Sequence, residues 1–270
     1  MVDIITSEDS KLTFQDGIAV LTFNRDDIRN ALTGTSIIDD ICQTVKWANK
    51  TDEVSVLIIT GAGKAFSAGG NIKKMQNREG PLGGDVATIE KYYREGIQKM
   101  SLAMEQVEVP TIAAVNGPAI GAGFDLCCMC DLRIGSSIVK FGETFVNLGI
   151  VPGDGGSWFL SRLIGYQKAA ELTFTGRIID AAEALELGLL LKITEPDDLM
   201  HQAMELAQTI AAKPPQALRY AKRLLKKAER LELSDYLDLC AIMQGVCHNT
   251  DDHIEAVTAF IEKRKPVFKK

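Results

Sequence analysis

Three glycine-rich turns, each after a short apolar segment, are the part of this sequence best suited to chemistry. They occupy residues 60–75, 116–126 and 148–156. Glycine lets a bound molecule approach the backbone closely, and N–H groups at the start of a helix attract negative charge. Two such N–H groups from two turns could stabilise the oxyanion that forms when a thioester carbonyl becomes an enolate. Ala68 in the first turn and Ala122 in the second are small enough to leave that approach open.

Nucleotide binding explains these glycines poorly. The first turn departs from the dinucleotide pattern Gly-x-Gly-x-x-Gly, because Phe66 stands where the third glycine is required. It also lacks the Gly-Lys-Ser/Thr ending of a P-loop, and the second turn contains no lysine. A purely structural role, in which the glycines only permit tight turns, is the alternative to the oxyanion hypothesis.

The composition excludes several classes of protein. The chain has 270 residues, 46% of them hydrophobic and 24% charged, which is typical of a globular protein of one large domain or two modest ones. The net charge of −6 disfavours a nucleic-acid partner, since such proteins usually carry a basic excess. No apolar run reaches the roughly 20 residues that cross a bilayer. The N-terminus also lacks the pattern of a signal peptide, so we expect no membrane partner and a cytoplasmic location.

The cysteines and histidines predict neither a metal site nor a hydrolase triad. Three of the six cysteines are Cys127, Cys128 and Cys130, without the paired spacing or nearby histidines of a zinc site. Buried, reduced thiols are the better interpretation. All three histidines lie in the C-terminal quarter of the chain, far from the glycine-rich turns. We therefore expect no bound metal.

The hydrophobic pattern predicts the elements that position the turns. Strands over 11–15 and 18–23 flank Asp16-Gly17, a strong hairpin signal. Helix and strand patterns then alternate, with helices over 36–49, 85–107 and 121–130, and strands over 54–60, 111–115, 132–134, 139–141 and 189–194. This alternation predicts an α/β fold with a largely parallel sheet and right-handed crossovers.

The last third of the chain has mainly helical patterns. Asp180 and Glu183 have the spacing of a capping box, Pro215 could open a helix, and two further helices are predicted over 234–247 and 250–264. The polar, glycine-rich segment 76–87 is predicted to be a mobile loop. We accordingly divide the chain into an α/β core, residues 1–195, and a helical region, residues 196–270.

The motifs around the turns resemble those of the crotonase superfamily, also called the enoyl-CoA hydratase/isomerase family. The matching segments occur in family order over nearly the whole chain: 24–25, 29–32, 63–73, 114–123, 130–133, 141–144, 149–156, 175–176, 182–189 and 260–266. The resemblance implies a spiral of ββα units. It also implies that the helical C-terminal region assembles homotrimers or dimers of trimers.

The resemblance assigns roles to several residues. It implies an oxyanion hole formed by the N–H groups of Ala68 and Ala122, the second of which is commonly glycine in the family. It implies an acyl-CoA substrate that brings its own coenzyme A, so we expect no separate cofactor. The residues implied to contact coenzyme A are Arg25, Arg29, Ala31, Lys73, Phe260 and Lys263, the last two often from a neighbouring subunit. For Arg25, Arg29 and Lys73, the alternative is a solvated surface charge without a ligand.

The proton-transferring residues depart from the family pattern. Family hydratases carry two glutamates, whereas this chain has Asp125 at the first position and Phe145, which cannot move a proton, at the second. We predict that Asp125 and Asp154 face the acyl chain in a largely apolar pocket. There, burial beside another carboxylate raises one pKa and leaves one acid and one base near neutral pH. Glu143 is the third candidate, and for it a surface or ion-pair role is favoured.

The expected function is therefore that of an acyl-CoA thioester enzyme of the hydratase/isomerase type. In it, two backbone amides stabilise a thioester enolate while carboxylates move protons or add water. Dienoyl-CoA isomerisation or other enolate chemistry on the same scaffold is one alternative. An acyl-CoA-binding paralogue with little hydratase activity is the other, because one typical glutamate is absent.

Overall fold

The structure, a computed structural model, describes residues 2–268 and contains both strands and helices throughout its first two thirds. The strands of this range are β1 (Val2–Thr6), β2 (Ser10–Gln15), β3 (Ile18–Phe23), β4 (Val56–Gly61), β5 (Thr111–Val115), β6 (Ala119–Ile120), β7 (Leu132–Ser136), β8 (Lys140–Gly142), β9 (Ile178–Asp180) and β10 (Lys192–Thr194). The α-helices are α1 (Ile37–Lys50), α2 (Ile72–Gln76), α3 (Val86–Glu95), α4 (Ile97–Gln106), α5 (Ala122–Met129), α6 (Gly156–Ile164), α7 (Tyr166–Thr175), α8 (Ala181–Glu186), α9 (Leu199–Ala211), α10 (Pro215–Ala228), α11 (Leu233–His248) and α12 (Asp251–Ile261).

The strands form one large and one small sheet. The large sheet has the order β1-β2-β3-β4-β5-β7-β10, antiparallel from β1 to β3 and parallel from β3 to β10. The small sheet has the order β6-β8-β9. This mixed but mostly parallel arrangement confirms the predicted fold class.

The large sheet is buried on both faces, as the continuous apolar run of β4 predicts. Along β4, Leu57 and Ile59 belong to the core packed beneath α1 and α4, whereas Val56 and Ile58 belong to the core beneath α9. Successive side chains of a strand point to opposite faces, so one strand supplies both cores. The cysteines of α5 and its end are buried in the first core, which agrees with the predicted structural thiols.

Most predicted elements form, and the main exception lies in α3 and α4. The hairpin at Asp16-Gly17 joins β2 and β3 in register, with φ of 53° and 83° at its two residues. The capping residue Asp180 accepts a hydrogen bond from the N–H of Glu183 at 3.0 Å. The single helix predicted over 85–107 is wrong, because it breaks at Gly96 into α3 and α4. A Cβ at Gly96 would lie 2.6 Å from the carbonyl oxygen of Tyr92.

The C-terminal third is helical, as predicted. Helix α9 packs on the sheet against β3, β4, β5 and β7, while α10 packs against α11 and α11 against α12. The domain division at residue 195 stays a sequence-based prediction. Within residues 2–268, the structure contains no helix whose length and apolar character would allow it to cross a membrane.

Candidate active site

The first two glycine-rich turns meet because they leave neighbouring parallel strands at the same edge of the sheet. The first follows β4 and the second follows β5, and these two strands pair in parallel. Backbone hydrogen bonds then join the turns, from Phe66 N–H to the carbonyl of Pro118 at 3.1 Å and from Ile120 N–H to the carbonyl of Ser67 at 3.0 Å. A Cβ at Gly69, where φ is +74°, would overlap the carbonyl oxygen of Ile120, so this approach requires glycine.

Asn30 fixes the first turn from the other side. Its buried side chain donates to the carbonyls of Ala62 at 3.0 Å and Ala65 at 2.8 Å, and it accepts from the N–H of Arg25 at 2.8 Å. Its own carbonyl accepts the hydroxyl hydrogen bond of Ser67 at 2.7 Å. These bonds satisfy buried carbonyls that the tight turn would otherwise leave unpaired.

The free N–H groups at the meeting point belong to Gly70 and Ala122. The prediction that Ala68 supplies an oxyanion donor is wrong, because its N–H donates to the carbonyl of Arg29 at 2.9 Å. Among residues 2–268, no acceptor pairs with the N–H of Gly70 or of Ala122, and both residues line the same cavity. Ala122 is the first residue of α5, so its N–H also lies at the positive end of a helix.

A cavity of about 260 Å³ lies beside these two amides. Its apolar wall includes Leu32, Ile38, Ile97, Phe145 and Ile150, and its lining also contains Tyr92, Tyr93, Thr144 and Asp154. Phe145, at the position of the missing glutamate, lies against the second turn: its ring comes within 3.7 Å of a Cβ built at Gly121. The exposed side chains of Asp39 and Glu95 also border the cavity, whereas Asp154 is the buried carboxyl group in its lining. The cavity therefore combines an apolar chamber, two free amides and one buried carboxyl group.

The three candidate carboxylates lie together, but only Asp154 lines the cavity. Asp125 and Glu143 are 0% and 1% exposed and stand behind it, outside the cavity lining. The prediction that Asp125 faces the acyl chain is therefore contradicted. The surface or ion-pair role favoured for Glu143 is also wrong, since neither of its oxygens has a hydrogen-bond partner within residues 2–268.

Helix α4 holds the turn that presents Asp154. The hydroxyl of Ser101 donates to the carbonyl of Asp154 at 2.5 Å, and the side-chain amide of Gln98 donates to the carbonyl of Gly153 at 2.8 Å. The ring of Tyr93 lies against Gly153, where a Cβ would be 2.6 Å from it. The N–H of Gly156 points to one oxygen of Asp154 at 3.4 Å. These contacts orient the carboxyl towards the cavity.

Burial dominates the electrostatics of the cluster. It raises the pKa of Glu143 from 4.5 to about 7, it raises the pKa of Asp154, and together with its two neighbours it raises the pKa of Asp125 well above the usual range. These raised pKa values disfavour the simultaneous ionisation of all three groups.

Replacing Glu143 by glutamine is expected to make the free energy of unfolding less dependent on pH. A raised carboxyl pKa means that the folded state binds the proton more tightly than the unfolded state, and this stabilisation is lost as pH rises from 4.5 to about 7. The stability of Glu143→Gln relative to the native protein should therefore grow by about 3 kcal/mol across this interval. Urea unfolding at both ends of the interval measures it. The exposed Glu186→Gln variant is the control, and an equal pH dependence in all three proteins would contradict the expectation.

The carboxyl group of Asp125 leaves no room for a side chain at Gly156. A Cβ at Gly156 would overlap that carboxyl, although alanine normally stabilises a helix relative to glycine. We expect Gly156→Ala to destabilise the protein by about 1–3 kcal/mol, and we expect this loss to disappear in a background of Asp125→Ala. A double-mutant cycle by urea unfolding tests the pair. Gly245→Ala, at a helical site with open space, is the control, and an additive cycle would refute the proposed clash.

The three cationic residues implied to contact coenzyme A differ in whether a carboxylate already pairs with them. Arg25 already pairs with Asp9 at 2.7 Å and Asp27 at 2.8 Å, which raises the pKa of its guanidinium further. Within residues 2–268, no carboxylate pairs with Arg29 or with the exposed Lys73.

The remaining implied contacts do not lie in the cavity. Ala31 is buried beside the first turn. Phe260 and Lys263 stand exposed at the end of α12, and neither lines the cavity of its own chain.

Sequence reasoning missed Gly70. The signal that could have found it is its position directly before Asn71, the residue that caps α2 by accepting from the N–H of Lys74 at 3.2 Å. An N–H next to a helix start commonly lacks an intrahelical partner, so it is free for a ligand.

Known proteins resemble this chain in sequence and fold. The sequence model of the enoyl-CoA hydratase/isomerase family matches residues 13–270. A short-chain-enoyl-CoA hydratase of Clostridium acetobutylicum is 39% identical over 251 residues, which are 92% of this chain and 92% of that protein. A crotonyl-CoA hydratase of Syntrophomonas wolfei is 36% identical over 255 residues, 94% of this chain and 95% of that protein.

A solved structure extends the likeness to three dimensions. The crystal structure of an enoyl-CoA hydratase from Bacillus anthracis aligns with a TM-score of 0.89 at 32% identity, covering 97% of this chain and 99% of that one. Sequence, fold and the arrangement of the turns agree, and the chain belongs to the enoyl-CoA hydratase/isomerase family.

Proposed function

We propose that this enzyme adds water across the double bond of a short-chain 2-enoyl-CoA. One observation carries the proposal: the free amides of Gly70 and Ala122 and the carboxyl of Asp154 line the same cavity. The activities named for the relatives, on short-chain enoyl-CoA and crotonyl-CoA, support the choice of substrate.

The two amides would bind the thioester oxygen. As water attacks Cβ, electrons move through the conjugated system and the thioester becomes an enolate with negative charge on that oxygen. Two preorganised N–H donors stabilise this charge more than that of the neutral substrate, and one such donor is typically worth about 3–4 kcal/mol. Because the second donor heads α5, the helix dipole adds to the effect.

Asp154 would move the proton. Its carboxylate accepts one proton from the attacking water while the oxygen of that water bonds to Cβ. The protonated Asp154 then gives a proton to Cα of the enolate, so one water is added and Asp154 returns to its starting state. The pKa of Asp154, raised by burial, brings its proton affinity closer to the neutral range in which such exchange is efficient.

A double-bond shift is the second candidate, and one observation favours it. Phe145 occupies the position of the second glutamate, so Asp154 is the single buried carboxyl in the cavity lining and lies beside an apolar ring. A single group that takes a proton from one carbon and returns it to another needs no second carboxylate to hold water.

The two reactions change ultraviolet absorbance in opposite directions. Hydration of crotonyl-CoA removes the conjugated enoyl thioester and its absorbance, whereas conversion of a 3-enoyl-CoA to a 2-enoyl-CoA creates it. We expect the purified protein to consume crotonyl-CoA. Turnover of the 3-enoyl-CoA alone would transfer the assignment to the isomerase, and binding without turnover of either would leave an acyl-CoA-binding protein.

Lys73 and Arg29 are proposed to meet the phosphates of coenzyme A, which enters as part of the substrate and without a separate cofactor. An acidic protein must bind a polyanion through local positive sites, and α2, which carries Lys73, begins two residues after Gly70. We expect Lys73→Ala to raise KM by up to about fivefold with kcat unchanged, which is the scale of an exposed ion pair. Steady-state kinetics measures this, with Lys168→Ala on α7 as the exposed control. A KM equal to that of the control would remove Lys73 from the site.

A homotrimer or dimer of trimers is proposed for the assembly. Exposed apolar side chains on α11 and α12, among them Leu237, Ile242, Ile254 and Phe260, support an interface in the helical region. Light scattering after size-exclusion chromatography would test it, and a monomer at assay concentration would reject it. The cytoplasmic location stays a prediction from the sequence.

A further inference from the structure

A chain of three carboxyl groups runs from the cavity into the protein interior. Asp154, Asp125 and Glu143 are 3%, 0% and 1% exposed, and they come from the turn before α6, from α5 and from the segment after β8. Gly156 contacts both aspartates, since its N–H points to Asp154 at 3.4 Å and a Cβ at this position would overlap the carboxyl of Asp125. Asp125 also interacts electrostatically with Glu143, so it is the middle member of the chain.

No other group of the described chain neutralises this cluster. Within residues 2–268, no N–H or O–H donor reaches either oxygen of Asp125 or of Glu143, and no lysine or arginine forms an ion pair with any of the three groups. The other titratable neighbours are Tyr93 on α3 and Cys128 on α5, and burial raises the pKa of both. Buried carboxyl oxygens without donors are costly, so protons shared between the carboxyls are what can satisfy them.

The substrate reaches only one end of the chain. Asp154 lines the cavity, whereas Asp125 and Glu143 do not, and the carboxyl of Asp125 lies against the backbone of Gly156. Of these three carboxyl groups, only Asp154 can therefore act as an acid or base in contact with the acyl group.

We propose that Asp125 and Glu143 are positioning residues that store and relay protons for Asp154, so that the proton taken from the attacking water is held in the protein interior until Cα of the enolate receives it. The proposal rests on the proposed function, because it gives the interior groups a task in the proton transfer that Asp154 performs. It also explains why a buried glutamate follows β8 although Phe145 has replaced the expected one.

The relay conserves protons and charge. It starts with Asp154 newly protonated, Asp125 protonated and Glu143 ionised. The proton of Asp125 passes to Glu143 while the proton of Asp154 passes to Asp125. Asp154 is then ionised again, Asp125 is unchanged, and Glu143 holds the proton that was taken from the attacking water. The reverse sequence returns that proton to Asp154 when the enolate carbon requires it.

Two near-isosteric variants separate this role from a structural one. Asp125→Asn keeps the shape of the middle group but cannot pass a proton, and Glu143→Gln removes the store but leaves the pair of Asp125 and Asp154 intact. We expect Asp125→Asn to lower kcat by about 10- to 100-fold with little change in KM. We expect Glu143→Gln to move the pH at which kcat/KM changes, because the ionisation of Asp154 then no longer depends on Glu143. A merely structural residue would change stability but leave the pH profile where it is.

Infrared spectroscopy tests the shared protons without substrate. At neutral pH the native protein in D₂O should show carboxylic-acid carbonyl bands that weaken in Asp125→Asn and that change in Glu143→Gln, which removes the acceptor of the Asp125 proton, whereas the exposed control Glu186→Gln should leave them unchanged. Native bands and a native pH profile in both variants would overturn the proposal. If the bands behave as expected but crotonyl-CoA is not consumed, the shared protons stand and the proposed hydration fails. If crotonyl-CoA is consumed but both variants keep native bands and kinetics, only the relay fails.

Discussion

Replacing Asp154 by asparagine is expected to lower kcat by about 10²- to 10⁴-fold, with KM for the acyl-CoA within a few-fold of the native value. Asp154 is the one member of the carboxyl cluster that lines the cavity. Asparagine keeps the size of the side chain and the hydrogen bond from the N–H of Gly156, but it cannot accept a proton. The loss should therefore fall on the chemical step and spare binding.

Steady-state kinetics with crotonyl-CoA measures this expectation. The exposed Asp197→Asn variant is a matched control, since it makes the same chemical change outside the cavity. Thermal unfolding should show that Asp154→Asn is folded. A kcat within tenfold of the control would show that another group moves the proton.

Replacing Ala122 by proline is expected to lower kcat by about 10²- to 10³-fold, because it removes one of the two oxyanion donors. A backbone amide can rarely be deleted without breaking the fold, but this position permits it. Ala122 is the first residue of α5, where proline is well tolerated, and its N–H has no acceptor within residues 2–268. Gly121 before it, with φ 53° and ψ −126°, lacks the Cβ that would clash with the proline ring.

Val86→Pro is the matched control, since Val86 is exposed, is also the first residue of a helix and follows an extended residue. Both variants should unfold at temperatures near that of the native protein. Native turnover in a folded Ala122→Pro enzyme would mean that the thioester oxygen is bound elsewhere.

Local signals determined much of the fold. Asp16-Gly17 alone sufficed for the first hairpin, because a two-residue turn with positive φ at both positions strongly favours one geometry. The apolar run of β4 predicted a strand buried on both faces. The order of the motifs around the glycine-rich turns predicted the family.

The helix break at Gly96 could not be predicted from such local signals. The apolar spacing continues across it, and the glycine alone does not show that the chain bends there. Isolated glycines are tolerated inside helices, so pattern alone does not distinguish the two cases.

The sequence by itself determined which turns carry the site and which acidic residues are available to it. Only the tertiary structure decided that Gly70 and not Ala68 keeps a free N–H, and that Asp154 faces the cavity while Asp125 and Glu143 lie behind it. The physical reason is that a hydrogen-bond partner or a burying neighbour comes from a distant part of the chain. The N–H of Ala68 donates to the carbonyl of Arg29, which lies 39 residues earlier in the sequence. Residue spacing within one segment carries no information about such a contact.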